Sequence, residues 1–382
     1  MLLVLGACTV TAPNGKTNAA LGNPVVGDPP RNVDDVFIVQ PGDFHVQTWI
    51  QNLEIPWSLA FLPDGRALVS ERPGRIRLIK NDRLVEQPYV KIDVASVGEG
   101  GLMGLAVHPR FPEEPYVYAM HTVRVGGELF NRVIRLRDHG TTAAMDKVII
   151  DRIPGYRVHD GGRIAFGPDG MLYVTTGDTW EAEIAQDLDS LGGKILRVAP
   201  DGSIPQDNPF EGSPIYSYGH RNPQGLAWHP RTNHLFSSEH GPSGEFGLRG
   251  HDSIDVIQKG GNYGWPLVLG DVDMAPYVDP IIMWKQATPP AGMAFLNEDL
   301  YIATLRSEAL VRVELAQRGG SYEVTAIERL FARDWDDGVY GRLRDVVRGP
   351  DGSLYVLTSN RDGRGTPRPG DDKILRLTPR GR

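Results

Sequence analysis

A short phrase made of an apolar run, a turn and a second β-rich run recurs six times along the 382-residue chain. The copies begin roughly 45 to 70 residues apart, close to the interval expected for four-stranded propeller blades, each of which needs a neighbour to cover one face. The repeat therefore predicts an all-β fold, a six-bladed β-propeller of four-stranded antiparallel blades. The six copies start at Leu59, Gly104, Arg163, Gly225, Gly292 and Asp345.

The turns inside the repeat support this prediction. RIAFGPDGMLYVTTGD and DVVRGPDGSLYVLTSN both contain Pro-Asp-Gly, in which proline fixes φ, aspartate bonds to its own backbone and glycine tolerates a positive φ. The flanking runs alternate as half-buried strands do. No stretch has a sustained helical period, and 45 Gly and 30 Pro suit an all-β chain with many turns.

The N-terminal part of the chain has a different composition. Residues 1–10 read MLLVLGACTV, and a Gly-, Pro-, Asn- and Thr-rich stretch without periodicity follows. We expect residues 1–43 to be a truncated export leader and a flexible tether, and residues 44–382 to form one propeller domain. Cys8 is the only cysteine. Its position resembles a bacterial lipoprotein acylation site, and the alternative is an ordinary apolar leader; both predict a periplasmic or otherwise exported protein.

Charge and hydropathy exclude two classes of function. The formal net charge is −8 and the sequence pI is near 5.7. A nucleic-acid partner is not expected, because phosphate binding needs concentrated Lys and Arg. No segment after the leader is apolar over the 18 or so residues that a membrane span needs.

A histidine and an aspartate flank the third repeat. His159 precedes its hairpin and Asp178 follows it, so the two side chains can meet. A histidine accepts protons near neutral pH, and a carboxylate on its other ring nitrogen fixes the tautomer. The pair is a candidate for a general base, although a loop histidine is more often a surface or structural residue.

Three further clusters of polar residues lie at unit boundaries. Arg221 and Asn222 stand in GHRNPQG, where they either stabilise an anion or cap a turn. Gly241 and Pro242 follow a glutamate and a histidine, and their carbonyl groups suit a hard cation such as Ca²⁺, although a plain turn is the simpler interpretation. The third cluster consists of basic residues that suggest a carboxylate or phosphate ligand, with a charged surface as the alternative: Arg306, Arg342 and Arg344.

Taken in order, the phrases of the chain resemble those of the soluble aldose sugar dehydrogenases that use pyrroloquinoline quinone (PQQ), the family of the soluble quinoprotein glucose dehydrogenase. The resemblance runs from about Ile55 to Leu377. It rests on PWSLAFLPDGR, GEGGLMGLAVHP, HDGGRIAFGPDG, TTGD, LGGKILRV, YGHRNPQGLAW, EHGP, GGNYGWP, RLRDVVRGPDG and DDKILRL. It implies oxidation of the aldose C1 hydroxyl to a lactone, with hydride transfer to Ca²⁺-bound PQQ.

The resemblance also implies roles for individual residues. His159 would be the general base, Asp178 would orient it, and Arg221 with Asn222 would contact the quinone. The carbonyl groups of Gly241 and Pro242 would hold Ca²⁺. The basic residues would pair with the carboxylates of the cofactor: Arg306, Arg342 and Arg344.

Some positions depart from the glucose-oxidising relatives. Glu99, near cofactor and sugar, replaces a glutamine, Arg306 replaces a lysine, and Ser253 stands where many relatives have an acidic residue. Trp284 falls near an aromatic residue that relatives place against the sugar. The physiological sugar and the electron acceptor are not identified by the resemblance.

Two other functions suit the same fold. A Ca²⁺-dependent lactonase or esterase would bring several Asp, Asn and Glu side chains onto an axial ion. A propeller that only binds a partner would not need the combination of His159, Asp178, Arg221 and paired arginines.

Overall fold

A computed structural model describes residues 22–30 and 33–381 of the chain. Within these ranges six sheets form a ring in which the innermost strand of each sheet lies beside that of the next. The same ranges contain no α-helix, only two 3-10 turns, Ala182–Ala185 and Glu245–Gly247. The predicted six-bladed β-propeller of four-stranded antiparallel blades is confirmed.

We number the blades along the chain and give their strands from the inner to the outer edge. Blade 1 consists of Pro56–Phe61, Ala67–Glu71 and Arg75–Lys80, with the short Arg83–Leu84 and Val90–Lys91. Blade 2 consists of Leu102–Val107, Tyr116–Val125, Glu128–Asp138 and Ala143–Pro154. Blade 3 consists of Ile164–Phe166, Leu172–Thr176, Lys194–Val198 and Ile215–Tyr218. Blade 4 consists of Pro223–Trp228, Leu235–Glu239, Asp252–Ile257 and Ile282–Trp284. Blade 5 consists of Pro290–Leu296, Asp299–Thr304, Leu310–Arg318 and Ser321–Leu330. Blade 6 consists of Leu343–Arg348, Leu354–Thr358, Ile374–Pro379 and Phe44–Ile50. The remaining strands are Val25–Val26, Asp35–Ile38, Val268–Leu269, Ala332–Asp334 and Asp337–Gly338.

The ring closes through the N-terminal part of the propeller. Phe44–Ile50 pairs antiparallel with Ile374–Pro379 as the outer strand of blade 6, so that one blade contains both ends of the domain. The added strand covers an edge of Ile374–Pro379 that would otherwise be unpaired. Leu375 and Leu377 of the same blade are fully buried.

Two strands occur within the segment predicted to be a tether. Asp35–Ile38 adds to blade 5 in parallel orientation, and Val25–Val26 pairs in parallel with Val268–Leu269. The division into residues 1–43 and 44–382 stays a prediction, and Cys8 lies outside the described residues. Among the described residues, no helix has the length and apolar character needed to cross a membrane.

The core lies between the blades. Six apolar clusters each join two neighbours, as Val174 of blade 3 packs with Met120 of blade 2 and Phe236 of blade 4 packs with Val311 of blade 5. Alternation along each strand explains this arrangement, because successive side chains point to opposite faces of a blade and each face meets a different neighbour. The packed ring leaves the loops at its two ends to vary.

Candidate functional site

Loops of blades 2 to 6 meet at a cavity of about 360 Å³ on the axis. They are the loops that enter these blades and, in blades 4 to 6, the loops between the second and third strands, which lie on the same face of the propeller. This cavity, which we call the axial cavity, brings together six residues singled out from the sequence: Glu99, His159, Arg221, Asn222, Arg306 and Arg342.

His159 and Asp178 meet as the sequence suggested. His159 Nδ1 lies 2.7 Å from Asp178 Oδ1, and both side chains are buried. The second carboxylate oxygen, Oδ2, accepts a hydrogen bond of 2.8 Å from the indole of Trp265. Burial alone would raise the pKa of Asp178, but the hydrogen bond from His159 and the charge of Arg221 outweigh it and hold that pKa below its usual range. Asp178 is therefore ionised at neutral pH.

The backbone of His159 is fixed in an uncommon conformation. Its φ is 58°, in the left-handed region that is unfavourable for a residue with a Cβ. Its N–H donates to Glu99 Oε2 at 3.0 Å, and its carbonyl oxygen accepts from the Thr179 N–H at 3.4 Å. Gly177 is required beside it, because a Cβ there would lie 1.9 Å from the His159 carbonyl oxygen.

Arg221 contacts the other side of the imidazole. Its Nη2 lies 2.9 Å from His159 Nε2, and its Nε donates to Glu245 Oε1 at 2.9 Å. Because Arg221 is always a donor, Nε2 must be an acceptor, and Nδ1 then carries the proton that is donated to Asp178. The imidazole is thus held as the neutral tautomer whose lone pair, on Nε2, accepts from Arg221 at the cavity.

Asn222 is oriented by its neighbours. Its Oδ1 accepts from the Gly161 N–H at 3.0 Å and from Gln224 Nε2 at 3.1 Å, so its amide NH₂ lies on the other side. That NH₂ lies 3.4 Å from Nδ1 of His240. The Asn222 NH₂ group and the Arg221 guanidinium are adjacent hydrogen-bond donors at the wall of the axial cavity.

Glu99 is an anion held by a residue that was not singled out from the sequence. Arg364 Nη1 donates to Glu99 Oε1 at 2.6 Å. Burial alone would raise the pKa of Glu99, but Arg364 and His159 lower it to about 2. Glu99 therefore connects the His159 backbone on one oxygen with Arg364 on the other.

The three basic residues of the last two blades differ in their surroundings. Arg306 is exposed at the axial cavity. Arg342 donates two hydrogen bonds to Asp362 Oδ2, at 3.1 and 2.9 Å, so the chain itself supplies an anion for it. Arg344 is buried beside an adjoining space of about 20 Å³ and donates to Gln224 Oε1 at 2.8 Å.

Arg344 is a cation without full compensation. Burial lowers its pKa to about 9, and the carboxylates of Asp362 and Glu99 offset this only in part. A buried guanidinium held by a neutral amide is unfavourable unless an anion approaches it. Arg344 therefore favours an anionic ligand beside the axial cavity.

Gly241 and Pro242 lie between His240 and Ser243, both of which line the axial cavity. The Gly241 N–H donates to Asp252 Oδ1 at 3.0 Å, and burial raises the pKa of Asp252 to about 6. No cluster of three or more His, Cys, Asp or Glu side chains in the described ranges is arranged to hold a metal ion. An ion here would depend on main-chain oxygens and on a ligand.

Ser253 and Trp284 lie away from the axial cavity. Ser253 Oγ donates to Asp255 Oδ2 at 2.9 Å within blade 4. Trp284 is 5 % exposed in the outer strand of blade 4 and packs in the core between blades 4 and 5. The structure does not bring Trp284 to His159, and its predicted contact with a sugar gains no support from this position.

Residues missed by the sequence reasoning reach the site through neighbours. Trp265 bonds Asp178, Glu245 bonds Arg221, and Arg364 bonds Glu99. Trp265 stands in GGNYGWP and Glu245 follows EHGP closely, so the phrases pointed to both regions. The partners of the three residues are 24 to 265 residues away in the sequence, and such pairing cannot be read from local spacing.

Comparison with known proteins gives one consistent result. The family model described as glucose/sorbosone dehydrogenase matches residues 53–375. The aldose sugar dehydrogenase of Escherichia coli K12 is 32 % identical over 373 residues, which cover 89 % of this chain and 94 % of that protein.

Two solved structures are similar in fold and sequence. One, from Thermus thermophilus, is described as an oxidoreductase (glucose dehydrogenase); it has a TM-score of 0.83 and 54 % identity, covering 88 % of this chain and 100 % of that one. The PQQ-bound aldose sugar dehydrogenase of Streptomyces coelicolor has a TM-score of 0.77 and 38 % identity, covering 88 % and 99 %. The chain therefore belongs to the glucose/sorbosone dehydrogenase family.

Proposed function

We propose that the protein is a PQQ-dependent aldose sugar dehydrogenase that oxidises the C1 hydroxyl of an aldose to a lactone. The observation that carries this proposal is the neutral His159 imidazole, held by Asp178 with its Nε2 lone pair at a cavity surrounded by arginines. The membership of the family and the PQQ-bound relative from Streptomyces coelicolor support it.

His159 is the general base of the proposed reaction. Its Nε2 accepts the proton of the sugar C1 hydroxyl, which takes the place of Arg221 Nη2 as hydrogen-bond partner when the sugar binds. Asp178 stabilises the imidazolium that forms, through the 2.7 Å contact at Nδ1. The C1–H leaves as hydride, so that the sugar loses two electrons and two hydrogens in total.

The residues of the axial cavity fit PQQ, a polycarboxylate ortho-quinone. Arg306 is exposed to the cavity and Arg344 is an undercompensated cation beside it, so both favour carboxylates. Arg221 and Asn222 offer adjacent donors for a quinone oxygen. When bound, PQQ supplies the two-electron acceptor for the hydride, made more electrophilic by Ca²⁺.

The Gly241-Pro242 carbonyl groups would hold the Ca²⁺ ion. Main-chain oxygens are hard ligands of the kind that Ca²⁺ prefers. Two of them alone are too few ligands for Ca²⁺, and the oxygens of the bound cofactor would add to them. The position of both residues between His240 and Ser243 fits this role. A Ca²⁺-dependent lactonase would instead need several carboxylate ligands, and the described residues offer no such cluster.

Reconstitution of the purified apo-protein tests the proposal. We expect dye reduction with glucose and other aldoses when PQQ and Ca²⁺ are both present, and none with either alone. Glucose-dependent reduction without PQQ would contradict the proposal. Absence of dye reduction with PQQ and Ca²⁺ both present, together with Ca²⁺-dependent lactone hydrolysis, would show that the protein is a lactonase instead.

The cellular location is a separate part of the proposal. An exported, periplasmic enzyme would suit the apolar run of residues 1–10 and lipidation at Cys8, both of which lie outside the described residues. Labelling with a radioactive fatty acid, with Cys8→Ser as the control, tests the lipid anchor.

A further inference from the structure

The loop that follows Asp178 is held by a side chain as well as by its backbone. It consists of residues 179–193, between the second and third strands of blade 3, and contains the short turn Ala182–Ala185. Gln186 follows this turn directly and is only partly exposed. Its side-chain amide contacts Asn262, which lies 76 residues further along the chain. This contact joins the loop of Asp178 to the segment that carries Trp265.

Gln186 and Asn262 form a reciprocal pair of amides. Gln186 Nε2 donates to Asn262 Oδ1 at 3.0 Å, and Asn262 Nδ2 donates to Gln186 Oε1 at 2.8 Å. Turning over either amide would set donor against donor, so the pair fixes both orientations. A Cβ on Gly219 would lie 2.2 Å from Asn262 Oδ1. The close approach of the pair therefore requires a glycine two residues before Arg221.

The Gln186 amide also holds the backbone of Trp265. Gln186 Nε2 donates to the Trp265 carbonyl oxygen at 2.7 Å, and the Trp265 N–H donates to the Gly219 carbonyl oxygen at 2.9 Å. The indole packs against the turn Ala182–Ala185. The backbone of Trp265 is thus fixed on both sides, and its indole N–H is directed at Asp178 Oδ2.

Several charged and titratable groups act on the His159 imidazole. They are Glu99, Asp178, Arg221, Glu239, His240 and Glu245. Among them, Asp178 is the acceptor of the Trp265 indole. The hydrogen bonds of the Gln186 side chain go to Asn262 and Trp265. An effect of Gln186 on the imidazole must therefore pass through Trp265 and Asp178.

We propose that Gln186 is a positioning residue for the base: by holding the Trp265 backbone it keeps the indole N–H on Asp178. This inference rests on the proposed function, which makes His159 the base. Without the Gln186 amide the indole bond weakens, and the Asp178 carboxylate becomes a stronger acceptor for His159. A stronger acceptor at Nδ1 favours the protonated imidazole. Gln186 therefore helps to keep the base unprotonated near neutral pH.

Exchange of the Trp265 indole N–H with solvent tests the positioning in the apo-protein and requires no activity. The chain contains 7 tryptophans, so ¹⁵N-labelled indoles give few NMR signals, and Trp265→Phe assigns the relevant one. Gln186→Met keeps the length of the side chain and removes its amide. We expect the Trp265 N–H to exchange about 3- to 10-fold faster, the effect of losing one hydrogen bond. The other indoles should exchange at unchanged rates.

Asn208→Leu is the matched control. Asn208 is a buried amide of blade 3 whose Nδ2 donates to the carbonyl groups of Arg197 and Ser213, on the opposite face of the propeller. Its loss weakens the blade without contacting the loop of Asp178, so the Trp265 exchange rate should not change. Gln186→Glu gives a second test variant, because it keeps the bond from Asn262 Nδ2 but cannot donate to the Trp265 carbonyl.

The holoenzyme loaded with PQQ and Ca²⁺ tests the effect on the base. Gln186→Met should move the acid limb of the kcat/KM profile to higher pH by about 0.2 to 0.5 unit. The shift should be smaller than that of Trp265→Phe, because the indole bond is weakened rather than removed. In the Trp265→Phe background, Gln186→Met should cause no further shift, since its effect passes through the indole. The affinity for PQQ should stay that of the unsubstituted enzyme.

Three outcomes would overturn the inference. They are an unchanged exchange rate of the Trp265 N–H in both Gln186 variants, equally faster exchange of all indoles, and a shift of the acid limb that adds in full to that of Trp265→Phe. Failure of the proposed function would appear instead as absence of aldose oxidation by the loaded, unsubstituted enzyme. The exchange experiment would still support or overturn the link between Gln186 and Trp265.

Discussion

Blades 3 and 6 begin with nearly the same hairpin, but the loops that follow the hairpin carry different residues. In both, the GPDG turn has the same bonds: Gly167 N–H to the Met171 carbonyl at 2.9 Å in blade 3, and Gly349 N–H to the Ser353 carbonyl at 2.8 Å in blade 6. The last glycine of each turn has a positive φ, 74° at Gly170 and 78° at Gly352. The hairpin is thus a common support for the loop after its second strand.

The residues in that loop differ. In blade 3 the loop carries Asp178, whose carboxylate bonds the side chain of His159. In blade 6 it carries Asn360, whose Oδ1 accepts from the Arg342 N–H at 2.9 Å. Asp178 thus fixes His159, a candidate base in the loop that enters blade 3. Asn360 fixes Arg342, a cation in the loop that enters blade 6. The comparison predicts that chemistry belongs to blade 3 and cofactor binding to blade 6.

Substitution of the base should give the largest effect. His159→Ala should lower kcat by roughly 10² to 10⁴, as expected for loss of a general base, while the affinity for PQQ stays close to that of the unsubstituted enzyme. Stopped-flow reduction with saturating cofactor and a separate PQQ titration measure the two quantities. His45→Ala, exposed on the outer strand of blade 6, is the control. Turnover within a few-fold of the unsubstituted enzyme would remove His159 from the role of base.

Blade 6 should show the opposite pattern. Arg344→Met keeps much of the length of the side chain and removes the undercompensated charge, so the apo-protein should become more stable while the affinity for PQQ falls about 10- to 100-fold, the worth of a charge-assisted hydrogen bond. Turnover at saturating PQQ should change little. Thermal denaturation and PQQ titration measure the two effects, with Arg348→Met, exposed on the same strand, as control. Unchanged affinity would place the cofactor elsewhere.

The same two blades show which features of the structure the sequence predicts and which it does not. The repeat predicts both hairpins, because turn chemistry and alternation are local properties. It also predicts the meeting of His159 and Asp178, since both flank one hairpin. The position of Trp284 in the core could not be predicted, because the loop before it has no repeat to anchor the alignment.

Pairings between blades could not be read from the sequence. Arg342 and Arg344 alternate along the chain, yet one finds Asp362 and the other finds Gln224, which belongs to blade 4. Asp362 belongs to the same blade as Arg342, whereas Gln224 reaches Arg344 because the ring brings together loops far apart in the chain. Local spacing therefore predicts which residues face the axis and leaves open which of them neutralise one another.

Trp265 offers a finer test of blade 3. Trp265→Phe keeps an aromatic ring in the packing and removes the 2.8 Å hydrogen bond to Asp178 Oδ2. Without this donor the Asp178 carboxylate is a stronger acceptor for His159, so the acid limb of the kcat/KM profile should move to higher pH, by up to about 0.7 unit for a bond worth about 1 kcal/mol. A uniform loss of activity at all pH values would mean that Trp265 only packs. Trp335→Phe, in the contact of Asp35–Ile38 with blade 5, is the control.

Asp160, next to His159, should give the smallest effect on activity; burial raises its pKa, whereas the partners of Asp178 hold that pKa down. It is 2 % exposed, its Oδ1 accepts from Asn131 Nδ2 and the Tyr156 N–H, and burial raises its pKa to about 7. A carboxyl with a pKa of about 3.9 in the unfolded chain and about 7 in the folded one binds more protons when folded, so stability falls as pH rises between these values. Asp160→Asn removes that loss and should stabilise the apo-protein by about 1–3 kcal/mol at pH 8 and by almost nothing at pH 4, in thermal denaturation followed across this range. An equal gain at both pH values would show that the amide acts through packing, and that Asp160 is not a buried acid that titrates near neutrality.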